Sequence, residues 1–460
     1  MTSLDKLHES LESRDVASLI HPQTNLRAHL ARGPHIIVGT EGSRIFDASG
    51  KEYIECLAGL WCCSLGFKQE RLAKAAFDQM SQLGYYHIYR DHSHPRGIEL
   101  ASKLLALAPL PMSKVLFQGS GSEANEAALK LCWYFHNSIG KPKKKKLIAR
   151  KMAFHGHTTG AASLTGLPSC HGGFDLPLPG FVHTEFPHYY RFHADGESEE
   201  AFATRMASAL EDLILREDPD TVAGFFAEPV MGASGGVFPP ATYFEKIQAV
   251  LRKYDILFVA DEVITGLGRT GCWWGSETFA LQPDIITSAK ALSGGMFPIS
   301  AVLLNERVFT AMMDLSDRLG NFAHGSTFSA HPVGAAVALE TLRIMEERDL
   351  IAYGRKLGSF LLERLGRLAD HPMVDDLRGI GPLVSMELVA DKRTRKNFPA
   401  AAKVNVVLQK HCSAQGVIPR LGGDRVVFAP PLIMTFEEAD EAVSRFTHAL
   451  DATWQELRSK

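Results

Sequence analysis

No Cys-x-x-Cys pair and no apolar run of bilayer length occurs in the 460 residues, and the glycine turn at 119–125 has neither a Gly-Lys-Ser/Thr ending nor Gly-x-Gly-x-x-Gly spacing. The first absence argues against a zinc ribbon or redox dithiol, so no metal centre is expected. The turn's two absences remove the usual triphosphate and dinucleotide readings of it, and the missing apolar run removes a membrane-spanning helix. Excess positive charge is missing too. With 49 basic and 52 acidic side chains the net charge is -3, which disfavours general nucleic-acid binding. Residues 1–20 mix acids, bases and Ser with scattered Leu and lack the layout of a secretory signal. Seven cysteines, an odd number and widely scattered, read as free thiols of a cytoplasmic protein. Internal repeats, Pro-rich linkers and low-complexity tracts are absent as well.

What remains is an ordinary globular composition, 45% hydrophobic and 22% charged, sufficient for a sizeable core. Between residues 114 and 306 short apolar runs alternate with helical patterns. Strands are expected at 114–118, 147–149, 222–227, 256–260, 285–288 and 299–304. Their Val, Ile and Phe content marks an α/β sheet buried on both faces. The chain from about Ala335 begins helical, later carries an extended segment at 425–429, and reads as a smaller α+β domain. The charge run at 141–146, broken only by Pro142, is expected to be a solvated loop.

Three segments carry chemistry. The first, Phe117 to Lys130, reads strand, glycine turn, helix. Ala124, Ala127, Ala128, Leu131 and Phe135 share one helical face, and Ser120 or Ser122 can cap the start. Free N–H groups with two hydroxyls suit a phosphate, although a plain capped helix reads equally well. In the second, Ile256 to Val263, an apolar strand delivers Asp261 and Glu262 at its C-terminal edge, where open α/β sheets bind ligands. If the strand continues, Asp261 and Val263 share a face. A buried acid there needs a partner, such as a protonated pyridine nitrogen; the alternative is a turn cap. In the third, Pro283 to Gly295, another apolar strand ends at Lys290 between two alanines. Desolvation would lower the pKa of that amine and make it a nucleophile. A phosphate cradle, an acid for a ring nitrogen and a reactive lysine are what a pyridoxal-phosphate enzyme requires.

In this combination the chain resembles the class III pyridoxal-phosphate aminotransferases, the ω-transaminases of fold type I, from His21-Pro22 to Pro430-Pro431. The matching pieces stand in family order: Leu60-Trp61, 119–125, Phe154-His155-Gly156, Glu228-Pro229-Val230, Asp261-Glu262-Val263, Lys290, Gly325-Ser326-Thr327 and Arg420. The resemblance implies a large domain with a mostly parallel sheet at 66–334, a small domain at 335–460, and an N-terminal segment at 1–65 packing with it. It implies pyridoxal 5′-phosphate held by Ser120, Gly121, Ser122, His155 and Glu228, with Phe154 and Val263 on the two ring faces. Asp261 would meet the pyridine nitrogen and Lys290 would bond the cofactor and move protons. Thr327 would reach the phosphate of a neighbouring subunit, implying a homodimer with composite active sites, with tetramers left open.

On the substrate side the resemblance makes Leu60, Trp61, Tyr89 and Phe154 pocket walls and Arg420 a mobile clamp for a carboxylate, with Glu228 as its resting partner. Trp61 beside Cys62 is similar to the pyruvate-dependent ω-transaminases more than to the ornithine or 4-aminobutyrate branches. Arg90, Gln23 and Met296 depart from the family's common aromatics and leave room for a polar donor. The implied reaction takes an amino group from a primary amine or ω-amino acid to a keto acid, foremost pyruvate, by a ping-pong route. The rivals are an aminomutase of the glutamate-1-semialdehyde type, a decayed cofactor-binding regulator, and a nucleotide-binding α/β enzyme resting on the glycine turn alone.

Overall fold

The computed structural model describes residues 10–459; residues 1–9 and Lys460, with the part of the leader reading that falls on them, lie outside it. Among the described residues, fifteen strands form three sheets. They are β1 (Ile37–Glu41), β2 (Arg44–Asp47), β3 (Glu52–Glu55), β4 (Lys114–Gln118), β5 (Lys146–Arg150), β6 (Phe181–Thr184), β7 (Val222–Ala227), β8 (Leu257–Asp261), β9 (Ile285–Ser288), β10 (Ser300–Leu304), β11 (Val374–Ile380), β12 (Leu383–Leu388), β13 (Val417–Ile418), β14 (Arg420–Gly422) and β15 (Arg425–Phe428).

The central sheet has the order β4-β10-β9-β8-β7-β5-β6. It is parallel except for β10, which runs antiparallel to both β9 and β4. Neighbouring residues on one strand enter opposite cores. Phe225 and Phe258 pack with Leu210, Ile247 and Leu251 on one face. Phe226 and Val259 pack with Ala124, Ala128 and Leu131 of the helix Gly121–Ser138 on the other. Both faces are therefore dry, which is why these strands read as unbroken apolar runs. All of β4, β5, β7, β8 and β9 end at the same edge of the sheet, where the candidate site lies.

A second sheet, β11-β12-β15-β14, and a third, β1-β2-β3-β13, make the smaller unit. β3 pairs in parallel with β13, Ile54 opposite Val417. Ile54 and Cys56 pack with Leu361, Val384, Phe428 and Phe446, so the N-terminal segment completes the C-terminal core. This is a large, mostly parallel sheet with a smaller α+β part, the arrangement that the resemblance implies.

Three local expectations change. β6 escapes the pattern because its Val182 and His183 are only half-buried and the run is short. β8 stops at Asp261 because Val263 turns back and donates its N–H to Asp261 Oδ1 at 3.1 Å, so the two do not share a continuing strand. The lysine run is not a free loop. Lys141 pairs with Asp255, Lys146 with Glu217, and Lys144 is buried with Nζ on the Tyr254 and Asp255 carbonyls. Burial pushes the Lys144 amine below its ordinary pKa.

Candidate active site

The cradle begins where β4 runs into the helix Gly121–Ser138. Ser120 is its N-cap, accepting from Glu123 N–H at 3.2 Å, and its carbonyl accepts from Ala124. The N–H groups of Gly121 and Ser122 lie in the first turn, where helices offer no internal acceptor. Ser300 on β10 donates to the Ser120 carbonyl and pins the turn. Two close approaches need glycine. A Cβ on Gly121 would sit 2.9 Å from Val263 Cγ1, and one on Gly156 would sit 2.5 Å from Ser122 Oγ. The helix start is thus packed directly against the ends of β8 and β5.

Asp261, 3% exposed, closes β8. Its Oδ2 accepts from His155 Nδ1 and from Asn125 Nδ2, both at 2.7 Å. Asn125 also donates to the His155 carbonyl at 2.7 Å and accepts from Thr287 Oγ1 on β9. Sequence reasoning gave Asn125 no role. A lone amide on a helix face otherwise carrying alanines was the available signal. His155 Nε2 is buried without a partner. Phe154 and Val263 beside it remain half-buried, leaving apolar surface open next to the carboxylate. Glu262 turns the other way and accepts from Thr265 Oγ1, Gly275 N–H and the Ser276 N–H and hydroxyl.

Lys290 begins the turn after β9 with φ +44°, a strained conformation for a side-chain-bearing residue. Burial pushes its amine below the usual lysine pKa, opposed by the Asp261 charge; Cys62, Glu228 and Arg420 act on it as well. Glu228 follows β7, fully buried, 3.3 Å from Arg150 and accepting from Phe154 N–H at 3.4 Å. Burial raises its pKa against the pull of His155 and Arg150.

Arg420, on β14, donates to the Ala233 carbonyl at 2.7 Å while its Nε stays buried and unpartnered. Burial and the neighbouring Arg425 hold its pKa below the ordinary arginine value. Its resting partner is thus a backbone carbonyl and not Glu228, which is committed to Arg150 and Phe154. A guanidinium left with a free donor is suited to a carboxylate ligand.

The pocket wall at Leu60 and Trp61 is an unusual turn. Ala58, Gly59, Leu60 and Trp61 all have positive φ, from +50° to +71°. Glu55 holds it, accepting from Leu57 N–H at 3.2 Å and Gly59 N–H at 2.8 Å. Trp61 is buried against Leu57, Val230 and Ile264, whereas Leu60 is 59% exposed. Tyr89 is also exposed and lies against Gly325, and Tyr85 donates to the Thr327 carbonyl. Thr327 itself is exposed and, among the described residues, makes no hydrogen bond to the cradle. The structure thus brings together Ser120, Gly121, Ser122, Phe154, His155, Glu228, Asp261, Val263 and Lys290, with Arg420 and Trp61 at the rim. Leu60, Tyr89 and Thr327 face outward in the single chain.

These residues fit pyridoxal 5′-phosphate on two structural observations. First-turn N–H groups packed against Val263 offer a phosphate seat, and a buried carboxylate with three donors ends β8 next to β9, which leads into a desolvated lysine.

The family model described as aminotransferase class-III matches residues 29–450. "Gamma-aminobutyrate transaminase 1, mitochondrial" of Oryza sativa subsp. indica is 46% identical over 431 residues, 93% of this chain and 84% of that protein. "Gamma aminobutyrate transaminase 2" of Solanum lycopersicum is 46% identical over 432 residues, 93% of this chain and 94% of that one. Among solved structures, the omega transaminase from Pseudomonas jessenii in complex with PMP is 49% identical, with a TM-score of 0.96 over 98% of this chain and 99% of that one.

Proposed function

The chain belongs to the class-III aminotransferases and is a pyridoxal 5′-phosphate-dependent transaminase, and on that premise we propose that pyruvate is its principal amino acceptor and that it works as a homodimer with composite sites. The observation that carries this reading is the meeting of Asp261, the Gly121–Ser122 cradle and the turn that begins at Lys290 at one sheet edge, where a Cβ on Gly121 would touch both Val263 and Ala289.

The cofactor, when bound, supplies an electron sink for the carbon that loses its proton. The chain's own residues do the rest. Gly121 and Ser122 bind the phosphate through first-turn N–H groups, aided by the positive end of the helix. Asp261, oriented by His155, Asn125 and Val263 N–H, holds a ring-nitrogen proton in place. Lys290 would hold the cofactor through its amine and, when free, would take up and deliver a proton, for which its lowered pKa suits it. Phe154 and Val263 keep water from the ring. Arg420 clamps the carboxylate of the keto acid through two parallel N–H donors and rests on the Ala233 carbonyl when the donor has no carboxylate there.

The donor class is a primary amine or an ω-amino acid. The names of the rice and tomato relatives support an ω-amino acid with a distal carboxylate, such as 4-aminobutyrate, and weigh against setting that branch aside. Dimer formation is supported by Leu60, Phe77, Met80, Tyr85, Tyr86, Tyr89 and Phe328, large apolar side chains exposed in the single chain. A partner covering them would place its Thr327 at the phosphate. Seven free cysteines, five of them buried, support a reducing compartment such as the cytoplasm.

The test is the absorption of the holoenzyme during half-reactions. An ω-amino acid without acceptor should bleach the visible cofactor band, and pyruvate should restore it. Restoration by other keto acids but not by pyruvate would overturn the acceptor assignment. Product formation with no acceptor present would favour the aminomutase.

A further inference from the structure

Away from the reaction centre, the N-terminal arm folds into two short helices, Leu11–Ser18 and Leu26–Arg32, joined by a turn. Three side chains close this hairpin. Asp15 lies on the first helix, His29 on the second and His21 in the turn. His21 Nε2 is 3.0 Å from both Asp15 oxygens, and His29 Nε2 is 3.2 Å from Asp15 Oδ1. The two imidazoles stand with ring centroids 4.1 Å apart. All three donor atoms lie within 4.8 Å of one another, and no other group among the described residues does this.

His21 straddles both carboxylate oxygens while His29 shares the first, and the same three donor atoms converge as metal ligands do. Around a tetrahedral zinc ion, donors at about 2.0 Å from the metal stand about 3.3 Å apart, close to the separations seen. The Asp15 and His29 side chains are 14% and 7% exposed, and His21 is 33% exposed, so two ligands are sheltered and one side stays open to a solvent ligand. Two neutral imidazoles and one carboxylate match a borderline divalent cation better than calcium or magnesium, which prefer all-oxygen cages. Spacings of six and eight residues with no cysteine leave no recognisable motif, so only the hairpin assembles the set.

We propose that Asp15, His21 and His29 form a binding site for a divalent transition-metal cation of the zinc type. The site reaches toward the pocket. Gln23, at the apex of the same turn with φ +53°, places its amide 3.2 Å from His157 Nε2, and the His157 ring packs against Phe154. A cation joining both helices fixes the turn that carries Gln23 to the rim.

The experiment is equilibrium dialysis of the holoenzyme against buffered Zn2+, with metal content measured for wild type, Asp15→Asn and His29→Asn. Asp15→Asn keeps the shape and can still hydrogen-bond imidazole but is a poor zinc ligand, and as the near-isosteric change it is the safer variant for folding. The expected result is one equivalent of zinc per chain in wild type, bound at least tenfold more weakly in each variant. In the Co2+ form a visible band of a low-coordinate site should appear in wild type and vanish in Asp15→Asn. Zinc content equal in wild type and Asp15→Asn, or none above background in either, overturns the proposal.

Discussion

His155 Nδ1 stands 2.7 Å from Asp261 Oδ2, and both side chains are buried. The pair is locked from outside by Asn125, which donates to Asp261 with its amide and to the His155 carbonyl as well. One hydrogen-bonded knot therefore ties the end of β8, the helix Gly121–Ser138 and the loop after β5, and through Thr287 also β9. The carboxylate at the centre of the site cannot rotate without breaking bonds to three elements.

Asp261→Asn keeps the size and most donors of that knot but removes the charge. Turnover should fall by about three orders of magnitude, in line with losing an electrostatic group aimed at the reacting centre, while the melting temperature of the apo form changes little. Steady-state kinetics and calorimetry check both halves, and near-normal turnover would remove Asp261 from its assigned place.

Lys290→Ala should abolish multiple turnover and the covalent attachment of the cofactor, since no other amine occupies that turn. Mass spectrometry after borohydride reduction reads the attachment. A cofactor-modified peptide in the variant would show that another lysine serves.

Arg420→Ala should lower kcat/KM for the keto acid roughly thirtyfold, about 2 kcal/mol, the worth of hydrogen bonds to a charged partner. A plain amine should be affected severalfold less. Equal losses for both would exclude a clamp.

Gly156→Ala places a Cβ 2.5 Å from Ser122 Oγ and 2.8 Å from its Cα, at a φ of +136°. The Ser122 backbone must move, so the variant should lose about 2 kcal/mol of stability and hold the cofactor more weakly. Fluorescence titration with the cofactor measures the second effect, and unchanged affinity would mean that Ser122 is not part of the seat.

Burial pushes the Glu55 carboxyl up to about 7, against the pull of its backbone donors and Arg269. The folded state therefore binds a proton that the unfolded chain releases near the ordinary glutamate value of 4.5. Stability from this group is fully present below that value and is lost as pH rises through about 7. Glu55→Gln cannot titrate, so relative to wild type it should gain about 3 kcal/mol between pH 4.5 and 7.5. Denaturant midpoints across that range test the sign.

The sheet was legible because both its faces are dry. Phe225 and Phe226, or Phe258 and Val259, enter different cores, so every residue of such a strand must be apolar, and that run is visible in one dimension. β6 was not legible, being short and half-buried. Charge runs mislead for a related reason. The lysines at 141–146 look solvated until Asp255 and Glu217 arrive from distant parts of the chain.

By itself, the amino-acid sequence determined the local chemistry: a capped glycine turn before a helix, an acid at the end of one strand, a lysine after another, and hence the family. Those features depend on neighbours within a few residues, where propensity and hydrogen bonding act directly. Only the tertiary structure decided which groups meet. It set Asn125 and His155 on Asp261, turned Arg420 to the Ala233 carbonyl and not to Glu228, and exposed Thr327. It also closed Asp15, His21 and His29 into one cluster. Each of these is a contact between segments whose approach depends on burying apolar surface elsewhere, and no local pattern encodes that distance.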